Sequence, residues 1–254
     1  MDERQNESLL YYAEILKGKN VDLAVSVGRH SEHLGLGSVI WADIKSKISL
    51  KEGMTLIDIG CGCGEVTEQC LKDASEYGFK LHLVDIPEAL SRVKREMAGL
   101  IPNSTLFWDK PFPQVIAERS FPKKVDVVLA YSVLHYTDQP EVFIDVAVNL
   151  LEEGGVLLLG DLPNVHKKGR FLSSRTGREF EAEYQGVTVN ELPKYKDQFD
   201  YYDKCENQNK KINDELIMYV MNKYRAEGYD VFCLSQADGL PFCRTREDIL
   251  ICRK

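Results

Sequence analysis

Asp58-Ile59-Gly60-Cys61-Gly62-Cys63-Gly64 follows the apolar pair Leu56-Ile57. Glycines at alternate positions let a backbone turn tightly and let another group approach it closely. Asp58 stands inside the apolar run, where a carboxylate is costly unless it holds something. The next residues, Glu65 to Leu71, read as the start of a helix. Strand, glycine turn and helix together form the layout of a nucleotide site. A dinucleotide fingerprint wants glycine or alanine at the sixth position counted from Gly60, and Glu65 stands there.

Further chemistry falls at the ends of later apolar runs. Lys80 to Asp85 reads as a strand ending in an acid, 21 residues beyond Gly64. An acid there can accept from both hydroxyls of a ribose, or can cap the helix that begins near Pro87. Asp109 closes the run Ser104 to Trp108. After the run Val125 to Tyr131 comes Ser132-Val133-Leu134-His135-Tyr136-Thr137-Asp138. The His135 imidazole, with an ordinary pKa of about 6.5, suits a general base toward a hydroxyl. It equally suits packing at a helix entrance, with Asp138 as that helix's cap. Asp161, ending the run Gly155 to Asp161, is a second candidate base.

Between Pro163 and Arg178 stand Lys167, Lys168, Arg170, Arg175 and Arg178 with no acid among them, in a chain of net charge −8. Arginine's planar fork suits phosphate and carboxylate, so Lys168, Arg170, Arg175 and Arg178 are candidates for holding an anionic acceptor. The alternative is a solvated loop.

The elements that must position these residues are an alternation of strands and helices. The strand runs are nearly continuous in apolar residues, as parallel strands covered on both faces are. Helices are expected over Pro87 to Met97, Asp138 to Leu151 and Asn213 to Glu227. Two more, Glu7 to Leu16 and Ser38 to Ile48, precede the glycine turn, joined by residues 27–32. Two strands, Tyr229 to Leu234 and Ile249 to Cys252, close the chain. Residues 163–212 lack a clear period, which points to a lid or insertion. The expected division is thus residues 1–52, helical; 53–162, the nucleotide half; 163–212, the lid; and 213–254, the closing helix and strand pair.

The glycine turn and the acids in this order resemble the class I S-adenosylmethionine (SAM) methyltransferases. That resemblance implies an α/β, Rossmann-like, doubly wound sheet of seven mostly parallel strands, the last antiparallel, with SAM as cofactor. It implies that Asp58 and the backbone of Gly60, Cys61, Gly62 and Gly64 hold the methionine part of SAM. It makes Asp85 the ribose acid, sets Ile86 against the adenine and gives Asp109 the adenine amino group. Tyr131 falls at the same strand edge. Val133-Leu134-His135 is similar to a segment that small-molecule methyltransferases carry near the acceptor. Asp161-Leu162-Pro163-Asn164, with the basic residues and Arg170-Phe171-Leu172-Ser173-Ser174 after it, resembles methyltransferases of bacterial capsule and surface-glycan biosynthesis. An O-methyltransferase acting on a nucleotide-linked sugar or a phosphate-derived precursor is the implied activity. N-methylation of a small metabolite and a non-catalytic SAM-binding module are the alternatives.

Composition narrows the class. The acidic balance argues against a general nucleic-acid binder. No apolar run approaches the roughly 20 residues of a membrane helix, and the polar, acidic N-terminus does not read as a signal peptide. Seven cysteines, an odd number, fit a reducing cytoplasm better than a disulfide framework. Cys61-x-Cys63 has no second pair to complete four metal ligands. No Asn/Asp-Pro-Pro-aromatic or Pro-Cys motif follows the fourth strand. With Asp161 the one acid at a suitable strand end for catechol-type metal binding, a metal-independent small-molecule enzyme is expected.

Overall fold

A computed structural model describes residues 12–16, 35–206 and 210–254. Helices α1 (Gly37–Lys47), α2 (Glu65–Tyr77), α3 (Pro87–Glu96), α4 (Pro140–Asn149), α5 (Val165–Ser173), α6 (Arg175–Gln185), α7 (Gln198–Lys204) and α8 (Asp214–Ala226) surround one sheet. Its strands are β1 (Thr55–Ile59), β2 (Lys80–Val84), β3 (Thr105–Trp108), β4 (Val125–Tyr131), β5 (Leu151–Pro163), β6 (Asp230–Leu234) and β7 (Arg246–Cys252). The strand order is β3-β2-β1-β4-β5-β7-β6. The first five strands pair in parallel, and β7 runs antiparallel to both β5 and β6. The expected seven-stranded, doubly wound sheet is therefore present.

Alternation along the strands builds two cores. In β1, Leu56 packs with Ile44, Leu71 and Leu90 on the face covered by α1, α2 and α3. Ile57 and Ile59 pack with Phe143, Ile144 and Val220 on the face covered by α4 and α8. The central strands β1, β2, β4 and β5 thus contribute to both faces, which is why their runs read as continuously apolar.

Residues 163–212 differ from the aperiodic stretch that the sequence suggested. They fold into α5, α6 and α7, each started by a side-chain cap. Asn164 accepts from the His166 and Lys167 amides, Ser174 from Gly177, and Asp197 from Phe199 and Asp200. Helices this short show little periodicity, so caps carry the local information. Asp138 also departs from expectation. The N-cap of α4 is Gln139, and the Asp138 carboxylate instead pairs with Lys211. Of the expected Glu7–Leu16 helix, residues 12–16 are helical; the rest, and the 27–32 link, lie outside the described residues. Among the described residues, no helix is long and apolar enough to cross a membrane.

Candidate active site

The chain turns from β1 toward β2 on one side and returns to β4 on the other, so the carboxyl ends of β1 and β4 border a topological switch point. Asp58 lies next to the end of β1, between Leu83 of β2 and Leu129 of β4. Only 3% of it is exposed. Burial, and then the charge of Asp85, push its pKa up to about 7. A central-strand carboxylate in this setting favours a cationic partner.

The glycine turn is anchored by backbone and by Asp85. Gly60 and Gly62 have φ of 67° and 65°, a left-handed region that glycine enters at no steric penalty. A Cβ on Gly60 would fall 2.5 Å from Val133 Cγ2. The Gly60 amide donates to Val84 O at 2.7 Å. Asp85 Oδ2 accepts from the Gly62 amide and Oδ1 from the Ile86 amide, both at 2.7 Å. Burial raises the Asp85 pKa to about 6, opposed by those two hydrogen bonds. Asp85 does not cap α3, whose N-cap is Ile86 with no side-chain cap. Each of its oxygens keeps a second lone pair for a ligand hydroxyl. Ile86 is buried at 7% exposure, in the core beneath this turn. Cys61 and Cys63 contribute their backbone, and burial holds the Cys61 thiol well above its usual pKa. Gly64 is the N-cap of α2. Asp109 follows β3 at the exposed rim.

Two contacts near this turn went unread in the sequence. Glu65 accepts from the Gly35 amide at 2.8 Å and the Gly37 amide at 3.0 Å, tying the start of α1 to the glycine turn. The Tyr12 phenol lies near enough to Asp85, Cys63, Cys61 and Tyr136 to feel their charges, which together with burial hold it protonated. Gly35-Leu36-Gly37 ahead of a helix was the legible sign of the first; a lone tyrosine gave no sign of the second.

Across the switch point, Tyr131 lays its ring against Gly160, where a Cβ would come within 2.3 Å. Its hydroxyl accepts from Gln236 Nε2 at 3.3 Å. His135 sits in the short helical turn Leu134–Tyr136, its ring centroid 4.2 Å from that of Tyr136. Its Nδ1 is buried with no hydrogen-bond partner among the described residues. Burial, then the charges of Arg246 and Lys211 against that of Asp161, bring its pKa down to about 4. The ring is thus neutral at physiological pH.

Asp161 stands where the β5–β7 pairing shifts register between Leu159 and Leu162. It adopts φ of 56°, and the shift frees its amide to donate to Asp248 Oδ1 at 2.8 Å. Gln236 Nε2 donates to Asp161 Oδ1 at 3.1 Å, and Arg246 Nη1 faces Oδ2 at 3.5 Å. Behind it lies a buried ionic chain. Lys47 Nζ bonds Asp248 at 2.7 Å and Asp43 at 2.6 Å, and Asp43 accepts from the Ala237 amide at 3.1 Å. Gln236, Arg246, Asp248 and Lys47 were missed because they come together only when β7 runs back beside β5.

The basic run does not gather into one patch. Arg170 donates to Asp214 at 2.5 and 3.2 Å and to Gln198 at 2.9 Å. Arg175 is 91% exposed and pairs with Glu179 on its own helix. Arg178 donates to Val189 O at 2.6 Å, and Lys168 is exposed. Among the described residues, no group of three or more His, Cys, Asp or Glu side chains could hold a metal ion.

Residues 57–157 match the family model of a methyltransferase domain. Over 116 residues the chain is 27% identical to malonyl-[acyl-carrier protein] O-methyltransferase of Halalkalibacterium halodurans, covering 46% of this chain and 42% of that protein. It is 29% identical over 111 residues to ubiquinone biosynthesis O-methyltransferase of Caulobacter vibrioides, covering 44% and 42%. The chain thus spans well under half the length of these curated relatives. Among solved structures, phosphoethanolamine N-methyltransferase 1 of Haemonchus contortus aligns over 98% of this chain and 48% of its own, at a TM-score of 0.58 and 12% identity. At that identity the likeness speaks to the fold alone. The strand order, the glycine turn at the switch point and these comparisons agree: the chain has the class I SAM-dependent methyltransferase fold.

Proposed function

We propose that the protein is a SAM-dependent O-methyltransferase acting on a small acceptor. The observation that carries this reading is the juxtaposition at one switch point of a buried acidic cradle, Asp58 and Asp85 around the glycine turn, and a neutral imidazole, His135. The cradle fits SAM: two buried carboxylates favour its cationic methionine end, and the free lone pairs of Asp85 suit ribose hydroxyls. When bound, SAM supplies an activated methyl group on its sulfonium.

The chain's own tasks are alignment, exclusion of water and proton removal. Asp58 and Asp85 orient the cofactor. His135, unprotonated at neutral pH, accepts the proton of an acceptor hydroxyl on its imidazole. Asp161, already engaged by Gln236 and Arg246, positions rather than accepts. Both curated relatives are named as O-methyltransferases, which favours oxygen over nitrogen.

The finer proposal is an anionic acceptor, such as a nucleotide-linked sugar or phosphate-derived precursor of a capsular polysaccharide. It rests on the resemblance of residues 161–174, and a reducing cytoplasm suits the seven free thiols. The test is calorimetric binding of SAM together with formation of S-adenosylhomocysteine on a panel of hydroxyl, amine and carboxylate acceptors. Binding with turnover on an oxygen acceptor is expected. Turnover only on amines would replace oxygen by nitrogen, and binding without turnover across the panel would make the chain a SAM-binding module.

A further inference from the structure

Arg246 opens β7, and antiparallel pairing sets it opposite Pro163, at the sheet edge that carries Asp161. Its Nη1 donates to Asp161 O at 3.0 Å and faces Asp161 Oδ2 at 3.5 Å. Its guanidinium carbon lies 5.4 Å from the centre of the Phe242 ring. These contacts fix the plane of the fork from one edge. Among the described residues, Nη2 and Nε have no hydrogen-bond partner, and the side chain keeps 22% exposure. Arg170, by contrast, has both terminal nitrogens committed to Asp214.

Arg246 belongs to the His135 side of the site, with Asp161 as the residue both feel. Arg246 acts by its charge on both the His135 ring and the Tyr136 phenol. Lys211, which donates to Thr137 O at 3.2 Å, adds a second positive charge near that ring. Lys211 is paired with Asp138, whereas Asp161 meets Arg246 through one nitrogen, so the charges are balanced in number while, among the described residues, the rest of the guanidinium has no acid against it. A guanidinium anchored along one edge and free along the other is pre-organised for a two-point oxyanion contact.

We propose that the open edge of Arg246 receives a carboxylate or phosphate of the methyl acceptor and thereby sets the acceptor's nucleophilic oxygen beside His135. The assignment deepens the proposed function and rests on it for the identity of the bound molecule as an acceptor. It replaces the basic run of α5 and α6 by one residue of β7 as the determinant of acceptor charge. The bound anion also screens His135 from Arg246, so the imidazole becomes a better base when the acceptor is in place.

The test titrates inorganic phosphate, and separately malonate, into the protein with and without S-adenosylhomocysteine, following the His135 ring resonances by NMR. The groups that face this ring are Arg246, Lys211, Asp161 and Tyr136. Saturable shifts are expected, together with a rise in the His135 pKa as the anion binds. Arg246→Gln should weaken anion binding about tenfold or more, equivalent to the loss of one charge-assisted contact, with SAM affinity unchanged. Arg246→Lys, which keeps the charge and loses the fork, should fall between and also guards against misfolding of the first variant. Phosphate binding with malonate silent assigns a phosphate acceptor, and the converse a carboxylate. Equal anion binding in the wild-type protein and both variants, or no response of His135 to either anion, overturns the proposal. Arg246-dependent anion binding in a protein that fails to bind SAM would uphold the subsite and refute the enzyme.

Discussion

The two halves of the site are built by different means. On the β1–β2 side the groups come from two short stretches, residues 58–64 and 84–86, and the contacts are backbone amides held by Asp85 and by the Val84 carbonyl. Among the described residues, the buried charge there is negative, from Asp58 and Asp85. On the β4–β5–β7 side the groups are side chains drawn from Lys47, His135, Asp161, Gln236, Arg246 and Asp248, spread over some 200 residues. Their charges are mixed and largely compensated. A backbone cradle recognises a constant ligand and tolerates little change. A side-chain cluster fixed by a buried ion chain can change its ligand by changing a residue, which is how one fold serves many acceptors.

The largest effect that would sharpen this contrast falls on His135. His135→Ala should lower kcat by about a hundredfold to ten-thousandfold, the usual range for a general base, while the calorimetric affinity for SAM stays as in the wild type. A loss below about tenfold would reduce His135 to a pocket wall. The converse variant is Asp85→Ala, which removes the acceptor of the Gly62 and Ile86 amides and the proposed acceptor of the ribose hydroxyls. Hydrogen bonds to a charged group are worth about 1.5–3 kcal/mol, so SAM affinity should fall roughly tenfold or more. Unchanged affinity in a folded Asp85→Ala protein would break the assignment of the cradle.

Proton linkage separates the halves next. Without ligand Asp58 titrates near about 7 and Asp85 near about 6, both raised by burial. A cationic ligand favours their ionised forms and so lowers both pKa values. SAM affinity should therefore be level above about pH 7 and fall below it, by up to tenfold per pH unit for each group titrated. His135, brought down to about 4 without ligand, stays neutral through that window, so kcat/KM for the acceptor at saturating SAM should not fall on its account between about pH 8 and about pH 6. Asp58→Asn should flatten the upper part of the affinity profile. An acceptor kcat/KM that drops with pH while SAM affinity holds level would reverse the assignment of charge to the two halves.

The same contrast governs what could be read before folding. Asp58, the glycine turn and Asp85 were legible because their spacing is local and each sits where an apolar run ends. The sheet was legible because its central strands β1, β2, β4 and β5 are covered on both faces. Arg246, Gln236 and Lys47 carry no local pattern, and their roles arise from the antiparallel return of β7 and the register shift at Asp161. The caps Asn164, Ser174 and Asp197 were present in the sequence, yet a stretch without period hid them. The basic run read as unpaired for a related reason: its acidic partners Asp214, Glu179 and Glu247 lie outside the window in which the charge was counted.

The smallest expected effect tests the part of the sequence reading that the geometry favours least. Charge along residues 167–178 suggested that reversal at Arg170 or Arg175 would raise the acceptor's KM far more than that of SAM. Arg175, however, is 91% exposed and already paired with Glu179 at 2.7 Å. An exposed charge of this kind contributes about 0–1 kcal/mol and is screened over about 8–10 Å at ordinary ionic strength. Arg175→Glu should therefore change KM for the acceptor by less than about threefold, near the scatter of surface substitutions. Arg170→Glu is a poorer probe, because it sets a carboxylate against Asp214 and strains the contact of α5 with α8. A tenfold or larger rise in acceptor KM for Arg175→Glu, abolished by salt and absent from the KM of SAM, would extend the acceptor site onto the outer face of α6. The acceptor half would then bind by long-range charge as well as by the fork of Arg246, and the distinction between a compensated acceptor site and an uncompensated cofactor cradle would fail.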